Sequence, residues 1–329
     1  MHHRCIFLYE YACAVGRDSR LPESFLFEGR AMRDALAEDL ARAGCEVILL
    51  DDISATEEYY HFQQCLRRAD AAWIIAPEID CILVTRCQWV EAAGIPLLGT
   101  DSEVLSWLTD KWQQYLFLQR HGVPVPASTL HPPHDSHGTY VRKPRYGAGC
   151  FQVEMPGRLA TSTEKEHIRE VANDTCLGLE PYCFWQRYMP GQAASIACLC
   201  GPRGQLVLRA AAQLLLQGTH FCYLGGYLPL PEPLELRAQR LAYLTLAAVP
   251  CLRGYIGIDL VLGAAPDGSE DYVIEINPRL TTSYLGQRAL CEQNLAELAL
   301  AILQGDRVRA PSWRLGTVKF TVRGTVVAA

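Results

Sequence analysis

Two carboxylates and an amide lie in two strand-like segments of the C-terminal half of the sequence. Asp259 belongs to segment 257–262, and Glu275 and Asn277 belong to segment 272–277. The residues between these segments are typical of turns, so the two segments should pair as a hairpin. Folding the hairpin symmetrically about the turn places Asp259 opposite Glu275. Residues two apart on a strand point to one face, so Asn277 joins Glu275 there.

Facing carboxylates repel each other, and the apolar residues around them indicate burial, where an unpaired charge is costly. A hard cation would remove this conflict. Two carboxylates and an amide oxygen suit magnesium, with manganese as a substitute, and phosphate oxygens and water would complete the octahedron. The alternative is a solvent-exposed hairpin with scattered acids, and the hairpin sequence by itself leaves both interpretations open.

A second candidate site is a strand that leads into a loop of small residues in segment 140–150. The loop consists of Tyr146, Gly147, Ala148, Gly149 and Cys150. Its glycines would let backbone N–H groups approach phosphate oxygens, and Lys143 and Arg145 could add charge-assisted bonds. The lysine precedes the glycines, so the segment is not a P-loop. An ordinary hairpin turn is the alternative.

An apolar strand ending in Pro-Gly, segment 184–191, is a plausible connector between two domains. Its backbone could offer an adenine ring the hydrogen-bond donor and acceptor that it needs. The residues concerned are Gln186, Arg187, Tyr188 and Met189. Taken alone, the segment favours the alternative of an ordinary strand and turn.

Residues 1–100 alternate between strand-like and helix-like patterns. The strand patterns cover 5–9, 46–50, 72–76 and 95–98, and the helical patterns cover 26–43, 57–68 and 82–93. Such alternation predicts an α/β fold with a Rossmann-like parallel sheet, helices on both faces and ligands beyond the carboxyl ends of its strands. Glu10 lies just past the first strand, where it would hold a substrate amine or be a solvated loop acid.

The pattern changes after residue 100. Thr109 and Asp110 are typical caps for a helix at 111–121, and strands, hairpins and glycines dominate from residue 139 onward. We predict further domains at 101–181 and 182–305, after the first at 1–100. A C-terminal segment, 306–329, should carry a short strand at 317–322. Segment 131–137 holds three histidines and two prolines, and we interpret it as a surface loop rather than a metal site.

Composition excludes several classes of function. The chain has 329 residues, of which 50% are hydrophobic and 20% charged, with a net charge of −6. No stripe of lysine and arginine suggests nucleic acid as a partner, and no apolar run predicts a membrane span. No signal peptide is recognisable, so we expect a cytoplasmic protein whose 14 cysteines are reduced thiols. Small-molecule substrates and a homodimer are compatible with this composition.

These segments together resemble the ATP-grasp superfamily over residues 101–305, and residues 1–100 look like that family's N-terminal substrate-side domain. The resemblance implies an α+β ATP-grasp fold with two subdomains, bound ATP and magnesium, and ADP-forming ligase activity. Lys111 and Lys143 match the family's phosphate-binding lysines, 146–150 its glycine-rich loop and 186–189 its adenine hinge. The residues that match its magnesium ligands are Asp259, Glu275 and Asn277.

Two positions depart from the family pattern. Many members have a ribose-binding glutamate two residues after the hinge glycine, where this chain has Ala193. Many also have an arginine two residues before the metal-binding aspartate, where this chain has Gly257. Ribose contacts and part of the charge neutralisation must therefore come from elsewhere, with Gln192, Arg209 and Arg279 as candidates.

A narrower resemblance connects segment 275–286, Glu-Ile-Asn-Pro-Arg-Leu-Thr-Thr-Ser-Tyr-Leu-Gly, with the tyramine–glutamate ligases of methanofuran biosynthesis, a one-carbon pathway. It implies that an acyl phosphate forms from glutamate and that tyramine or a relative attacks it, releasing phosphate. Arg279, with Lys143, is then expected to stabilise the transferred phosphoryl group. Thr281 and Thr282 are expected to bind the amino acid, although hydroxyl residues also begin helices.

Three other functions remain open. The protein could be another ATP-grasp amino-acid or dipeptide ligase, or a carboxylase that uses bicarbonate. It could also be a catalytically silent ATP-binding protein, which the departures at Ala193 and Gly257 favour. The intact set of two acids and an amide argues against a silent protein, because binding alone does not require all three.

Overall fold

The N-terminal region folds into a small parallel sheet flanked by helices. The computed structural model describes residues 5–16, 21–133, 139–150, 152–155 and 182–328, so His134 and His137 of the predicted surface loop lie outside the described residues. The elements are β1 (Cys5–Glu10), α1 (Tyr11–Val15), α2 (Glu23–Arg42), β2 (Glu46–Ile48), α3 (Glu58–Leu66), β3 (Ala71–Ile75) and α4 (Ile82–Ala92). The strands run parallel in the order β2-β1-β3.

Strand β1 is buried on both faces, as its uninterrupted apolar sequence predicts. Ile6 and Leu8 pack with α2, whereas Phe7 and Tyr9 pack with residues of α3 and α4. The predicted parallel sheet with helices on both faces is therefore confirmed. The predicted strand at 95–98 is only an isolated bridge between Leu97 and Ala72, because Pro96 has no N–H with which to continue the ladder.

A second, antiparallel sheet is small. Its region contains α5 (Ser102–Leu108), α6 (Lys111–Arg120), β4 (Ser128–Thr129), β5 (Tyr140–Pro144) and β6 (Cys183–Arg187). The strand order is β4-β6-β5. Strand β6 thus pairs with β4 and β5, and the predicted domain boundary between 181 and 182 would separate it from both of its partners.

Within the part of the chain that the structure describes, the third sheet has eight strands. Its elements are β7 (Gln192–Cys200), β8 (Gln205–Val207), β9 (Ala211–Gln217), β10 (Phe221–Leu228), α7 (Glu232–Ala248), β11 (Gly254–Leu262), β12 (Tyr272–Asn277), α8 (Ser283–Leu290), α9 (Leu295–Leu303), β13 (Val318–Thr321) and β14 (Val326–Ala328). The order is β12-β11-β7-β9-β10-β13-β14, with β8 on β7. The predicted C-terminal strand exists, and it extends this sheet rather than standing apart from it.

The large sheet and the N-terminal region share one hydrophobic core. Leu199 of β7 and Tyr255 of β11 belong to the same buried cluster as Leu36 of α2. Asp39 of α2 accepts hydrogen bonds from the hydroxyl of Tyr284 (2.6 Å) and from Arg288 (2.7 and 2.8 Å) on α8. These contacts fix α2 beside the large sheet. Within the described residues, every helix is too short or too polar to cross a membrane.

Candidate active site

The β11–β12 hairpin has the register that the sequence predicts. Asp259 lies opposite Glu275, and Gly257 lies opposite Asn277. Ile258 of β11 and Ile276 of β12 belong to the core beneath the sheet. A register shift between Asp259 and Leu260 then puts Val273 in the core and Ile274 in the cavity lining. The two acids and the amide therefore lie on the other face, where they line a cavity of about 180 Å³.

The two carboxylates of the hairpin have different partners. Asp259 accepts hydrogen bonds from the amides of Gln213 (2.9 Å) and Asn277 (3.1 Å). Burial, and then repulsion from Glu275, raises the pKa of Asp259. Burial alone would raise the pKa of Glu275, but Lys111, 3.0 Å from its carboxylate, lowers that pKa below its usual range. The Asp259 carboxyl therefore holds a proton more tightly than usual, and the Glu275 carboxyl holds one less tightly.

Lys111 reaches Glu275 because helix α6 docks on β12. Asp110 caps this helix by accepting hydrogen bonds from the N–H groups of its first turn, as predicted. The Gln114 side chain bonds to both the N–H (2.7 Å) and the carbonyl (3.0 Å) of Ile276. These two hydrogen bonds pair backbone groups at the free edge of β12. They also hold the first turn of α6 against the hairpin.

Lys143, on strand β5 of the small sheet, lines the same cavity. Strands β5 and β6 pair so that the Lys143 ammonium group donates to the side-chain oxygen of Gln186 at 2.8 Å. Burial lowers the pKa of Lys143, which the negative charge of Glu275 opposes. The predicted hinge and loop residues also line the cavity. They are Gly147, Ala148, Gly149, Gln186, Arg187, Tyr188 and Met189.

Tyr146 and Arg145 point elsewhere. The Tyr146 hydroxyl donates to Asp110 at 3.2 Å, and Arg145 forms an ion pair with the same carboxylate. Neither side chain is part of the described cavity lining. In this structure both side chains tie the loop to the cap of α6, and their contribution to phosphate binding stays a prediction.

The donor set of the hairpin fits a hard cation. The described residues contain no cluster of three His, Cys, Asp or Glu side chains, so a cation here would depend on two carboxylates, one amide and oxygens of its ligand. Asp259, Glu275 and Asn277 are such a set, and a bound cation would relieve the repulsion that raises the pKa of Asp259. Magnesium is the metal that this chemistry favours.

Arg279 connects the hairpin with the N-terminal region. Its guanidinium donates to both carboxylate oxygens of Glu78, at 2.9 and 3.1 Å, and both side chains are largely buried. Glu78 follows β3, so this ion pair joins residues 201 positions apart. Arg279 lines the main cavity as predicted, but no local pattern in the sequence pointed to its carboxylate partner.

The departure at Gly257 has a steric explanation. A Cβ at this position would lie 2.4 Å from the Thr281 side chain, so no larger residue fits. Thr281 also shares a hydrogen bond with Ser283 (2.9 Å) and lines the cavity. Thr282 is the N-cap residue of α8 but makes no capping bond, and its side chain lowers the pKa of the Glu28 carboxyl on α2. Both threonines therefore lie at the site, where predicted.

A second, smaller cavity adjoins the first at the carboxyl ends of β1 and β3. Glu10 lies in it, with its carboxylate accepting the N–H of Cys13 at 2.7 Å. Burial raises the pKa of Glu10 to about 6. A Cβ at residue 29 would lie 2.3 Å from this carboxylate, so only Gly29 allows Glu10 to pack on α2. Glu10 is thus a buried acid and not a solvated loop acid.

Glu28 lines both cavities. Burial raises the pKa of its carboxyl to about 7, against the lowering effect of Arg279 and Thr282. The sequence placed Glu28 in a predicted helix but offered no signal that this helix contributes to the site. Its role follows only from the packing of α2 against the large sheet.

The fold and this site identify the family of the chain. The ATP-grasp domain matches residues 108–283, and the pre ATP-grasp 3 domain matches residues 30–104. The chain belongs to the ATP-grasp family. Ligases of this family use ATP and form C–N bonds with release of ADP.

Individual proteins of known sequence or structure are similar to this chain along most of its length. The chain is 24% identical, over 90% of its length and 92% of the relative's, to tyramine–L-glutamate ligase of Methanocaldococcus fervens. An ATP-grasp superfamily protein from Archaeoglobus fulgidus has a similar fold, with a TM-score of 0.69, 23% identity and 96% and 92% of the two chains covered. The L-amino acid ligase of Bacillus licheniformis also has a similar fold. Its TM-score is 0.63 at 16% identity, and the match covers 96% of this chain and 78% of the ligase.

Proposed function

We propose that this protein joins the carboxylate of an amino acid, glutamate, to tyramine or a closely related amine, releasing ADP and phosphate. One observation supports this most directly. A cavity lined by the two lysines, the glycine loop and the acidic hairpin continues into a second cavity that combines carboxylates with apolar walls. The first cavity suits a nucleoside triphosphate, and the second suits an amine with an apolar body.

The residues have distinct roles in this proposal. Lys111, Lys143 and the backbone of the glycine loop hold the phosphates of ATP. Asp259, Glu275 and Asn277 hold magnesium, which supplies charge neutralisation at the phosphates. The cavity residues bring the amino-acid carboxylate to the γ-phosphorus, and its attack gives an acyl phosphate and ADP. Attack by the amine then forms the amide and releases phosphate.

Arg279 stabilises the negative charge that the acyl phosphate carries. Its guanidinium is buried at the junction of the two cavities, where a positive charge acts strongly because water is excluded. Glu78 holds the guanidinium in place through two hydrogen bonds. Thr281 and Thr282 lie on the same wall and would bind the amino acid. The similarity to tyramine–L-glutamate ligase extends this proposal to methanofuran biosynthesis.

A substrate screen tests the proposal. The purified protein is incubated with ATP, magnesium, each of a set of amino acids and each of a set of amines, and ADP release and product mass are recorded. We expect ADP release and an amide with glutamate plus tyramine. Release with a different pair would indicate another amino-acid ligase, release with bicarbonate would indicate a carboxylase, and ATP binding without any turnover would indicate a silent protein.

A further inference from the structure

Glu28 stands at the passage between the two cavities. It projects from α2, and it lines both cavities together with Ala148, Gly149 and Arg279. A Cβ built on Gly149 would lie 4.0 Å from a Glu28 carboxylate oxygen, so the glycine loop passes directly over this acid. A group that moved from the second cavity toward the phosphates would pass between Glu28, Arg279 and the glycine loop.

The walls of the second cavity are mostly apolar. They include Phe25, Met32, Ile75 and Pro77. Such walls fit a hydrocarbon or aromatic body, and buried carboxylates among them favour a cationic end group. Glu10 lies only in the second cavity and is held by Cys13, whereas Glu28 also reaches the first cavity. Glu28 is therefore the carboxylate better placed to contact a reacting nitrogen.

We propose that Glu28 binds the ammonium group of the incoming amine and accepts its proton, so that a neutral amine attacks the acyl phosphate. This inference rests on the proposed function, and it assigns a general base to the second half of that reaction. An alkylammonium ion has no lone pair with which to attack, so an amine ligase needs such a base or a supply of free amine.

The amine nitrogen loses two protons in this reaction. One proton passes from the ammonium nitrogen to the Glu28 carboxylate. The nitrogen lone pair then forms the C–N bond, and the C–O bond to phosphate breaks, with its electron pair leaving on the phosphate. The second proton lost by nitrogen goes to the departing phosphate. The products are the amide, hydrogen phosphate and a protonated Glu28, which returns its proton to solvent.

The groups that face Glu28 support this role. Burial and the negative charge of Glu10 raise the pKa of its carboxyl, and Arg279 and Thr282 lower it, which leaves it at about 7. The other titratable groups coupled to it are Cys150, Cys222 and Tyr223. Burial raises the pKa of each of these three groups, so they stay neutral near pH 7. A base whose pKa is close to the working pH is well matched to this proton transfer.

Glu28→Gln tests the inference by comparing two nucleophiles. With ATP and glutamate, tyramine needs a base, whereas hydroxylamine is already neutral at pH 7 and attacks an acyl phosphate without one. We expect amide formation with tyramine to fall roughly 100-fold and hydroxamate formation to change by less than about twofold. Glu23→Gln, an exposed position of the same helix, is the matched control and should leave both rates unchanged.

Each outcome decides a different claim. Unchanged amide formation in Glu28→Gln, or an equal loss of amide and hydroxamate, would overturn the role of Glu28 as the base. No hydroxamate from the wild-type protein with glutamate would overturn the proposed function and, with it, this inference. A selective loss of amide formation, together with loss of the rise in its rate with pH near 7, would support it.

Discussion

The acidic hairpin and the junction between the cavities each contain two carboxylates. They differ in how far apart in the chain their residues lie. In the hairpin, Asp259 and Glu275 meet across two strands that follow each other in the chain, and their register is local. At the junction, Glu28 and Glu78 come from the N-terminal region and meet Arg279, with a sequence separation of 201 for one ion pair. The hairpin is thus specified by local sequence, and the junction depends on how two regions pack.

The largest effect should come from the hairpin. Glu275→Gln removes one of the two carboxylates proposed to hold magnesium and leaves Lys111 without its charged partner. We expect ADP release to fall by on the order of 1,000-fold, with a native circular dichroism spectrum because the side-chain volume is kept. Glu270→Gln, in the exposed turn of the same hairpin, should stay active. Full activity in Glu275→Gln would remove the basis of the metal proposal.

A substitution at the junction should lower the free energy of unfolding as well as the reaction rate. Glu78→Gln breaks a buried ion pair and leaves the Arg279 guanidinium with the charges of Glu28 and Glu275 but without a paired carboxylate. Breaking such a pair costs about 3 kcal/mol of the free energy of unfolding, which urea denaturation would measure. Glu38→Gln, which affects pairs exposed on the surface, should cost less than about 1 kcal/mol.

Equal costs for these two variants would mean that the junction is not held by the buried pair. Replacing both partners, in Glu78→Gln with Arg279→Met, should recover part of the lost stability, because no uncompensated buried charge then remains. Catalysis should not recover in the double variant, since the guanidinium proposed to stabilise the acyl phosphate is gone. This contrast separates the structural role of the junction from its catalytic role.

The smallest expected effect is a change of protein stability with pH that comes from the Glu10 carboxyl. Burial raises the pKa of Glu10 from 4.5 to about 6, so the folded protein binds this proton more tightly than the unfolded chain. The corresponding stability is complete below pH 4.5 and is lost as the pH rises through 6. The shift corresponds to about 2 kcal/mol.

Denaturation of the wild-type protein and Glu10→Gln at pH 4 and pH 8 measures this effect. The variant cannot ionise, so the wild-type protein should lose about 2 kcal/mol relative to the variant between the two pH values. A constant difference between the two proteins would show that the Glu10 carboxyl has the same pKa in the folded and unfolded states.

Much of the candidate site could be predicted from sequence because its residues lie in short segments with regular periods. The alternation of side chains on strands placed Asp259, Glu275 and Asn277 on one face, and the cap at Asp110 located the start of α6 and hence Lys111. The resemblance to ATP-grasp proteins then put these segments in order. Tyr146 is the counterexample, since its position in the loop did not reveal that it bonds to Asp110.

The sequence by itself determined the parallel N-terminal sheet and the hairpin register, because strand and helix periods are local properties. Its resemblance to ATP-grasp proteins supplied the order of the candidate ATP-binding segments. Only the tertiary structure decided that Glu28 and Glu78 belong to the site, that Gly29 makes room for Glu10, and that Thr281 fills the space at Gly257. Those contacts join residues far apart in the chain. They depend on the packing of α2 against the large sheet, and no local period in the sequence encodes that packing.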